Sequence, residues 1–217
     1  MNRSFAAGLL GLAVLAVTAA PACSQDSKSK TAPKAEWTTI FDGKSMDGWE
    51  FLEMRGKGSS SWKLEDGLMV GTGQPSMMFS PRGDYKNFRV RAEIMINDKG
   101  NSGFYFRTAK KASFGDGYEA QVDATHTDPI RTGSIYGFVH VYKPITKPGE
   151  WFTYEIQCQD REWRGRTATA IKVTINGDEL YEMFDFDNTY KSGHFAFQAH
   201  DPGSIVKIRK VEVMELP

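Results

Sequence analysis

From Phe88 to Ile96 the chain reads Phe-Arg-Val-Arg-Ala-Glu-Ile-Met-Ile, with Phe88, Val90, Ala92, Ile94 and Ile96 set against Arg89, Arg91, Glu93, Met95 and Asn97. An apolar residue at every second position is the pattern of a strand with one buried face, not of a helix, whose apolar stripe returns every 3 to 4 residues or so. Comparable short segments recur along the chain. After Asp98-Lys99-Gly100-Asn101, residues 102 to 107 set Phe104 and Phe106 against Gly103, Tyr105 and Arg107, so the two segments read as a hairpin. Ile171, Val173 and Ile175 run into Asn176-Gly177, which accepts the positive φ angles of a type I′ turn, and Leu180 begins the return strand. Further strands are expected at 38–41, 61–64, 67–71, 76–80, 118–124, 134–140, 152–159, 194–200 and 204–214. In the last, Val206 and Ile208 are out of phase with Val211 and Val213, which predicts a bulge near Arg209-Lys210. No amphipathic helix competes, and about a dozen strands on one core suit a two-sheet antiparallel sandwich better than a small barrel.

The chain's 217 residues, 40% of them hydrophobic, suffice for one well-cored domain. Lys+Arg 27 balances Asp+Glu 27, which excludes a broad cationic footprint for nucleic acid and points to a neutral partner. Cys158 follows Tyr154 and Ile156 at spacing two, so it is expected to be a buried, inert thiol; no disulfide framework is expected.

The amino terminus reads as a separate object. Arg3, the apolar run Phe5 to Val17 and the small residues Ala20-Pro21-Ala22 make residues 1–22 an export signal. The run is too short for the roughly 20 residues of a membrane-crossing helix. Cys23 would begin the mature chain and resembles the lipid-acceptor site of bacterial lipoproteins, although Ala20 stands where that pattern prefers Leu. Residues 23–35 read as a polar, flexible tether and 36–217 as the folded domain. The expected location is therefore outside the cytoplasm, in the envelope as a lipoprotein or periplasmic or secreted, with the membrane touched only through a lipid anchor.

Alternation places Glu119, Gln121 and Asp123 on one face of their strand, and His194, Gln198 and His200 on one face of theirs, with Tyr105 and Arg107 extending the set. If these strands share a sheet, their polar faces merge into a surface of amides, carboxylates and imidazoles that matches the vicinal hydroxyls of a sugar. A solvated outer face is the bland alternative for any one of these residues. His194 and His200 lie about 20 Å apart along an extended strand, too far to chelate one ion as a pair; a divalent metal would need one of them to join Glu119 or Asp123. No phosphate-cradling glycine loop and no Gly-x-Ser-x-Gly elbow occurs.

Trp37-Thr-Thr-Ile-Phe-Asp-Gly-Lys-Ser-Met-Asp-Gly-Trp49 resembles the opening of the bacterial 3-keto-disaccharide hydrolase family. Similar family segments follow in order: Trp62 to Leu68, Asn101 to Arg107, Gly117 to Asp123, Thr132 to Tyr136, Gly149-Glu-Trp151 and Gly193 to Gln198. The resemblance implies an all-β, concanavalin-A-like jelly roll of two curved antiparallel sheets whose concave face holds carbohydrate, and it implies chemistry on 3-keto-glycosides. Phe152 stands where the family usually has Asn, and residues 160–167 form a charged segment where a short turn is expected. On that chemistry a sugar ketone acidifies a neighbouring proton. Glu119 is expected as base or acid, Arg107 or a divalent cation as the stabiliser of the enolate, and His200 as the group that exchanges the proton. Gln121, Asp123, Tyr136 and Gln198 are expected to contact substrate or metal, with His194 and Tyr105 completing the sugar-facing surface. Two other functions fit the same face: direct glucanase-like hydrolysis by Glu119 with Asp123, and carbohydrate binding without catalysis.

Overall fold

The computed structural model describes residues 36–54 and 61–217. The export signal, Cys23 and the tether lie outside the described residues. Thirteen strands form among those described: β1 (Thr38–Phe41), β2 (Glu50–Glu53), β3 (Ser61–Glu65), β4 (Leu68–Thr72), β5 (Ser76–Phe79), β6 (Phe88–Ile96), β7 (Asn101–Thr108), β8 (Tyr118–Asp123), β9 (Phe152–Trp163), β10 (Arg166–Ile175), β11 (Asp178–Asp185), β12 (His194–Ala199) and β13 (Val206–Glu215). They make an eight-stranded sheet in the order β11-β10-β9-β6-β13-β4-β3, with β1 also on β13, and a five-stranded sheet in the order β2-β5-β12-β7-β8. The paired strands are antiparallel. The two-sheet sandwich expected from the sequence is the fold.

Most apolar strand residues line the space between the sheets, while Met77, Phe79, Tyr105 and Ala196 of the smaller sheet form a separate buried cluster. β6 alternates buried and half-buried positions without interruption along its length. From the smaller sheet Phe104, Phe195 and Phe197 enter the core; Phe195 meets Phe88 edge-on at 4.8 Å and Phe197 stacks on Phe104 at 4.9 Å. Such rings are worth about 1.5–3 kcal/mol each in buried area. Cys158 is fully buried in this core, and burial pushes its thiol up to about 12, so it is the inert cysteine expected. The turn at Asn176 (φ 53) and Gly177 (φ 90) joins β10 to β11 as anticipated, and the ladder of β13 with β6 shifts between Ile208 and Lys210, where the phase change predicted a bulge.

Three local expectations are corrected. β6 and β7 are not a hairpin: β6 pairs with β9 and β13 in the larger sheet, β7 with β8 and β12 in the smaller. The connection at residues 97–100 therefore carries the chain from one sheet to the other. Residues 134–140 do not form a strand; Gly133 (φ 97) and Gly137 (φ 78) bend the chain. What remains is an irregular border on β8, through Tyr136 N–H to Glu119 O at 2.9 Å and Gln121 N–H to Ser134 O at 3.0 Å. The charged segment 160–167 is mostly strand, because β9 and β10 extend to a two-residue turn at Arg164 and Gly165.

Candidate active site

The outward face of the smaller sheet is assembled by register. Ala196 lies opposite Tyr105, Tyr105 opposite Glu119, Gly103 opposite Gln121, and Asn101 opposite Asp123. Residues far apart in the chain thus stand in adjacent rows on one face. A hollow of about 350 Å³ opens there, lined by Asn101, Phe114, Gly115, Glu119, Gln121, Asp128, Tyr136, Gln198 and His200. Of the sequence-predicted residues, Glu119, Gln121, Tyr136, Gln198 and His200 share its wall.

Glu119 sits on the floor. Burial pushes its carboxyl up to about 7 and the charge of Asp128 pushes the same way, while a hydrogen bond from Tyr105 pulls back. Tyr105 is fully buried beneath the hollow and its hydroxyl also accepts the Gln198 amide N–H at 3.1 Å. Burial and the neighbouring Glu119 hold the Tyr105 phenol well above its ordinary range, so it stays protonated and acts as a fixed donor. Gln121 donates to Asn101 Oδ1 at 3.0 Å. Gln198 is buried, and its amide oxygen has no partner among the described residues, which suits it to a ligand. Tyr136 is exposed over the rim, with its phenol raised chiefly by the charge of Asp128.

Gly103 makes room for the carboxylate. A Cβ there would stand 2.6 Å from Tyr105 Cε2 and 2.9 Å from Glu119 Cγ, and closer still to Glu119 Oε1. Gly103→Ala should therefore displace Glu119 and cost about 1–3 kcal/mol by overpacking. The expected result is a folded protein with a lowered melting temperature and weakened turnover; unchanged values of both would show that the floor is looser than this geometry.

Three predicted residues lie elsewhere. Arg107 does not face the hollow. The β7–β12 ladder shifts between His194 and Ala196, Arg107 takes φ 49, and its side chain is fully buried. A one-residue irregularity reverses which face a side chain takes. The guanidinium instead spans to the larger sheet, meeting Asp160 Oδ1 at 2.9 Å, Thr169 Oγ1 at 3.2 Å, Lys86 O at 2.8 Å and Tyr190 O at 3.0 Å. It is a cross-brace, which corrects its expected role at an enolate. His194 packs on Gly83 and Phe79 and bonds Ser80 O at 2.8 Å, away from the hollow. Asp123 is fully buried beside the hollow; its Oδ1 accepts from Arg131 and from the His126 N–H, each at 3.0 Å. This pins the loop after β8.

Asp128, Asn101 and Phe114 were not anticipated. They come from turns and strand ends, where no periodicity marks which way a side chain points. A second hollow, on the outward face of the larger sheet, is walled by Arg91, Glu93, Thr153, Lys210 and Glu212. Its charges are matched, with Glu212 holding Arg91 at 2.8 Å and Lys210 at 2.9 Å. That is a solvated ion-pair lattice, without a perturbed acid of the Glu119 kind.

The likenesses to known proteins agree with this architecture. An alignment of 97 positions that covers 39% of the chain is 32% identical to the 3-keto-disaccharide hydrolase of Bacteroides thetaiotaomicron. That alignment spans 32% of the relative, about a third of its length. Among solved structures, a proposed glycosyl hydrolase of Parabacteroides distasonis superposes with a TM-score of 0.66 at 23% identity, covering 83% of this chain and 94% of that one. A carbohydrate-binding module of Bacillus subtilis superposes with a TM-score of 0.53 at 17% identity, covering 83% and 96%. At these identities the structures show the fold, a sandwich of the concanavalin-A-like, lectin kind. A family profile matches residues 36–214, most of the chain, and the chain belongs to the 3-keto-alpha-glucoside-1,2-lyase-like domain family.

Proposed function

We propose that this domain cleaves the glycosidic bond of 3-keto-glycosides by elimination, with Glu119 as the base. The observation that carries the reading is a carboxylate on the floor of a sugar-sized hollow, raised to about 7. A base poised near neutrality transfers protons most effectively. The sugar's C3 ketone acidifies the C2 hydrogen. Glu119 takes that proton, and the electron pair left behind is delocalised onto the ketone oxygen as an enolate. Its return forms the C1–C2 double bond as the C1–O bond breaks, its pair leaving on the aglycone oxygen, which takes up a proton. Water added across the double bond completes net hydrolysis. His200, on the wall, would exchange the leaving-group proton, and the Gln121 and Gln198 amides and the Tyr136 hydroxyl, which line the same hollow, would bind sugar and enolate oxygens.

Incubation of the purified domain with a 3-keto-glucoside tests this: loss of ketosugar with an unsaturated or hydrated product is expected. One observation favours a second reading, since Asp128 lines the hollow with Glu119 and supplies a carboxylate pair for direct hydrolysis. Release of sugar from an unoxidised disaccharide would select it. Binding of the ketosugar without turnover would instead leave a carbohydrate-binding module.

The same proposal includes export, since the leader and Cys23 would put the domain where external glycosides are met. In a bacterial host Cys23→Ser should move the protein from the membrane fraction to the soluble one; an unchanged distribution would remove the lipid anchor.

A further inference from the structure

Beside the hollow, His126, His200 and Asp201 converge from two separate segments, the loop after β8 and the chain just beyond β12. One donor atom from each lies within 4.8 Å of the others. His200 Nδ1 is 2.9 Å and His126 Nε2 3.9 Å from the same oxygen, Asp201 Oδ2. A tetrahedral ion with bonds near 2.0–2.1 Å keeps its donors roughly 3.3 Å apart, so small shifts close the set. The imidazole rings cross at 71° with centroids 5.7 Å apart, edge toward face rather than stacked. Asp201 is anchored by Gly203 N–H at 2.8 Å and Ser204 Oγ at 2.9 Å, and His200 by stacking on Phe114 at 6.1 Å.

A second observation stands apart from these three. Asp123 is fully buried, yet its Oδ2 has no hydrogen-bond partner among the described residues and lies 4.0 Å from His126 Nδ1. An unmatched buried carboxylate oxygen calls for a reason. Metal-bound histidines commonly give their second ring N–H to a carboxylate, which fixes the ring. In the structure His126 Nδ1 accepts the Asp128 backbone N–H at 3.1 Å, which puts the proton of a neutral ring on Nε2, toward Asp201. Coordination through Nε2 would move that proton to Nδ1, which would give up the bond from the Asp128 N–H and turn to Asp123 Oδ2, 4.0 Å away.

We propose that His126, His200 and Asp201 bind a divalent transition-metal ion, with Asp123 as the buried carboxylate behind His126. Two imidazoles and one carboxylate suit zinc, cobalt, nickel or ferrous iron, whereas calcium and magnesium prefer oxygen ligands. Three protein donors leave positions open for a ligand. The ion's chemical role rests on the elimination reading: at the His200 wall it would polarise the substrate ketone, the task once expected of Arg107. With His200 then a ligand, the leaving-group proton falls to Tyr136. The existence of the site does not depend on that role.

The test uses the purified protein, stripped with chelator and titrated with Co²⁺, followed by the visible d–d absorption and by calorimetry. One equivalent per chain and a raised melting temperature are expected. His126→Gln, Asp201→Asn and His200→Ala should each weaken Co²⁺ by at least the roughly 10- to 100-fold typical of losing a supporting group around a metal. Circular dichroism checks that each variant is folded, and His200, partly exposed, is the substitution least able to disturb the fold. No stoichiometric Co²⁺ binding, equal binding in all three folded variants, or preference for Ca²⁺ over Co²⁺ would overturn the site. Turnover of ketosugar with no Co²⁺ binding would end the metal inference and leave the elimination reading intact; stoichiometric Co²⁺ binding without turnover would do the reverse.

Discussion

Glu119→Gln is expected to lower kcat/KM on a 3-keto-glucoside by roughly 10²- to 10⁴-fold, the usual contribution of a positioned base. In the unsubstituted enzyme kcat/KM should rise with pH through about 7, as Glu119 loses its proton. The same raised pKa has a thermodynamic consequence of definite sign. The unfolded chain releases this proton near the ordinary 4.5 and the native state only at about 7. Between those values the native state holds a proton that the unfolded chain lacks, so stability falls as pH rises across that window. The full penalty above pH 7 is about 3 kcal/mol. Glutamine keeps an oxygen for the Tyr105 hydroxyl and has no charge to desolvate. The variant should therefore be more stable than the parent at pH 8.5, and the difference should vanish near pH 4. Retained activity in the variant would place the base elsewhere, and identical pH–stability curves would show that Glu119 is not desolvated.

Arg107→Ala should be the most destabilising single change at the edge of the site, by about 3–5 kcal/mol, because it removes the buried half of an ion pair and leaves the Lys86 and Tyr190 carbonyls without their donor. Asp160 would keep Lys86 at 3.3 Å and the Thr169 hydroxyl at 3.3 Å, but lose the guanidinium that joins it to the Tyr190 and Lys86 carbonyls. For a domain of this size the loss corresponds to a fall in melting temperature of roughly 6–20 °C. The left-handed backbone at Arg107 itself costs about 1–3 kcal/mol and persists because these bonds over-determine it. Well below the transition, the folded fraction should keep the parent KM, since Arg107 does not line the hollow. A variant with an unchanged melting temperature and abolished turnover would return Arg107 to the catalytic list.

These two residues show how far reading the chain reaches. Glu119 and Arg107 were assigned to one face by the same alternation. For Glu119 the assignment holds, because β8 runs in unbroken register with β7 from Asn101 to Phe106. For Arg107 it fails, because the ladder with β12 shifts at that point and the side chain crosses to the inner face of the larger sheet. Asp123 sits at a strand end, where the loop that folds over it supplies Arg131 and the His126 N–H and takes its Oδ1 away from a ligand. His126 and Asp128 belong to that loop and carry no periodic signal at all.

The alternation of β6, the Asn176-Gly177 turn, the bulge in β13 and the inertness of Cys158 were all determined by the chain's own sequence, because each rests on neighbours within a few residues and on the energy of turning oily side chains one way. Tertiary structure alone decided that β6 and β7 part company into different sheets, that Arg107 turns inward, and that His126 meets His200. Period two states which side chains share a face but not which strand lies alongside. That choice is made by the free energy of the whole core, in which two sheets bury their phenylalanines against each other and leave the polar rows, wherever they came from in the chain, to meet on the outside.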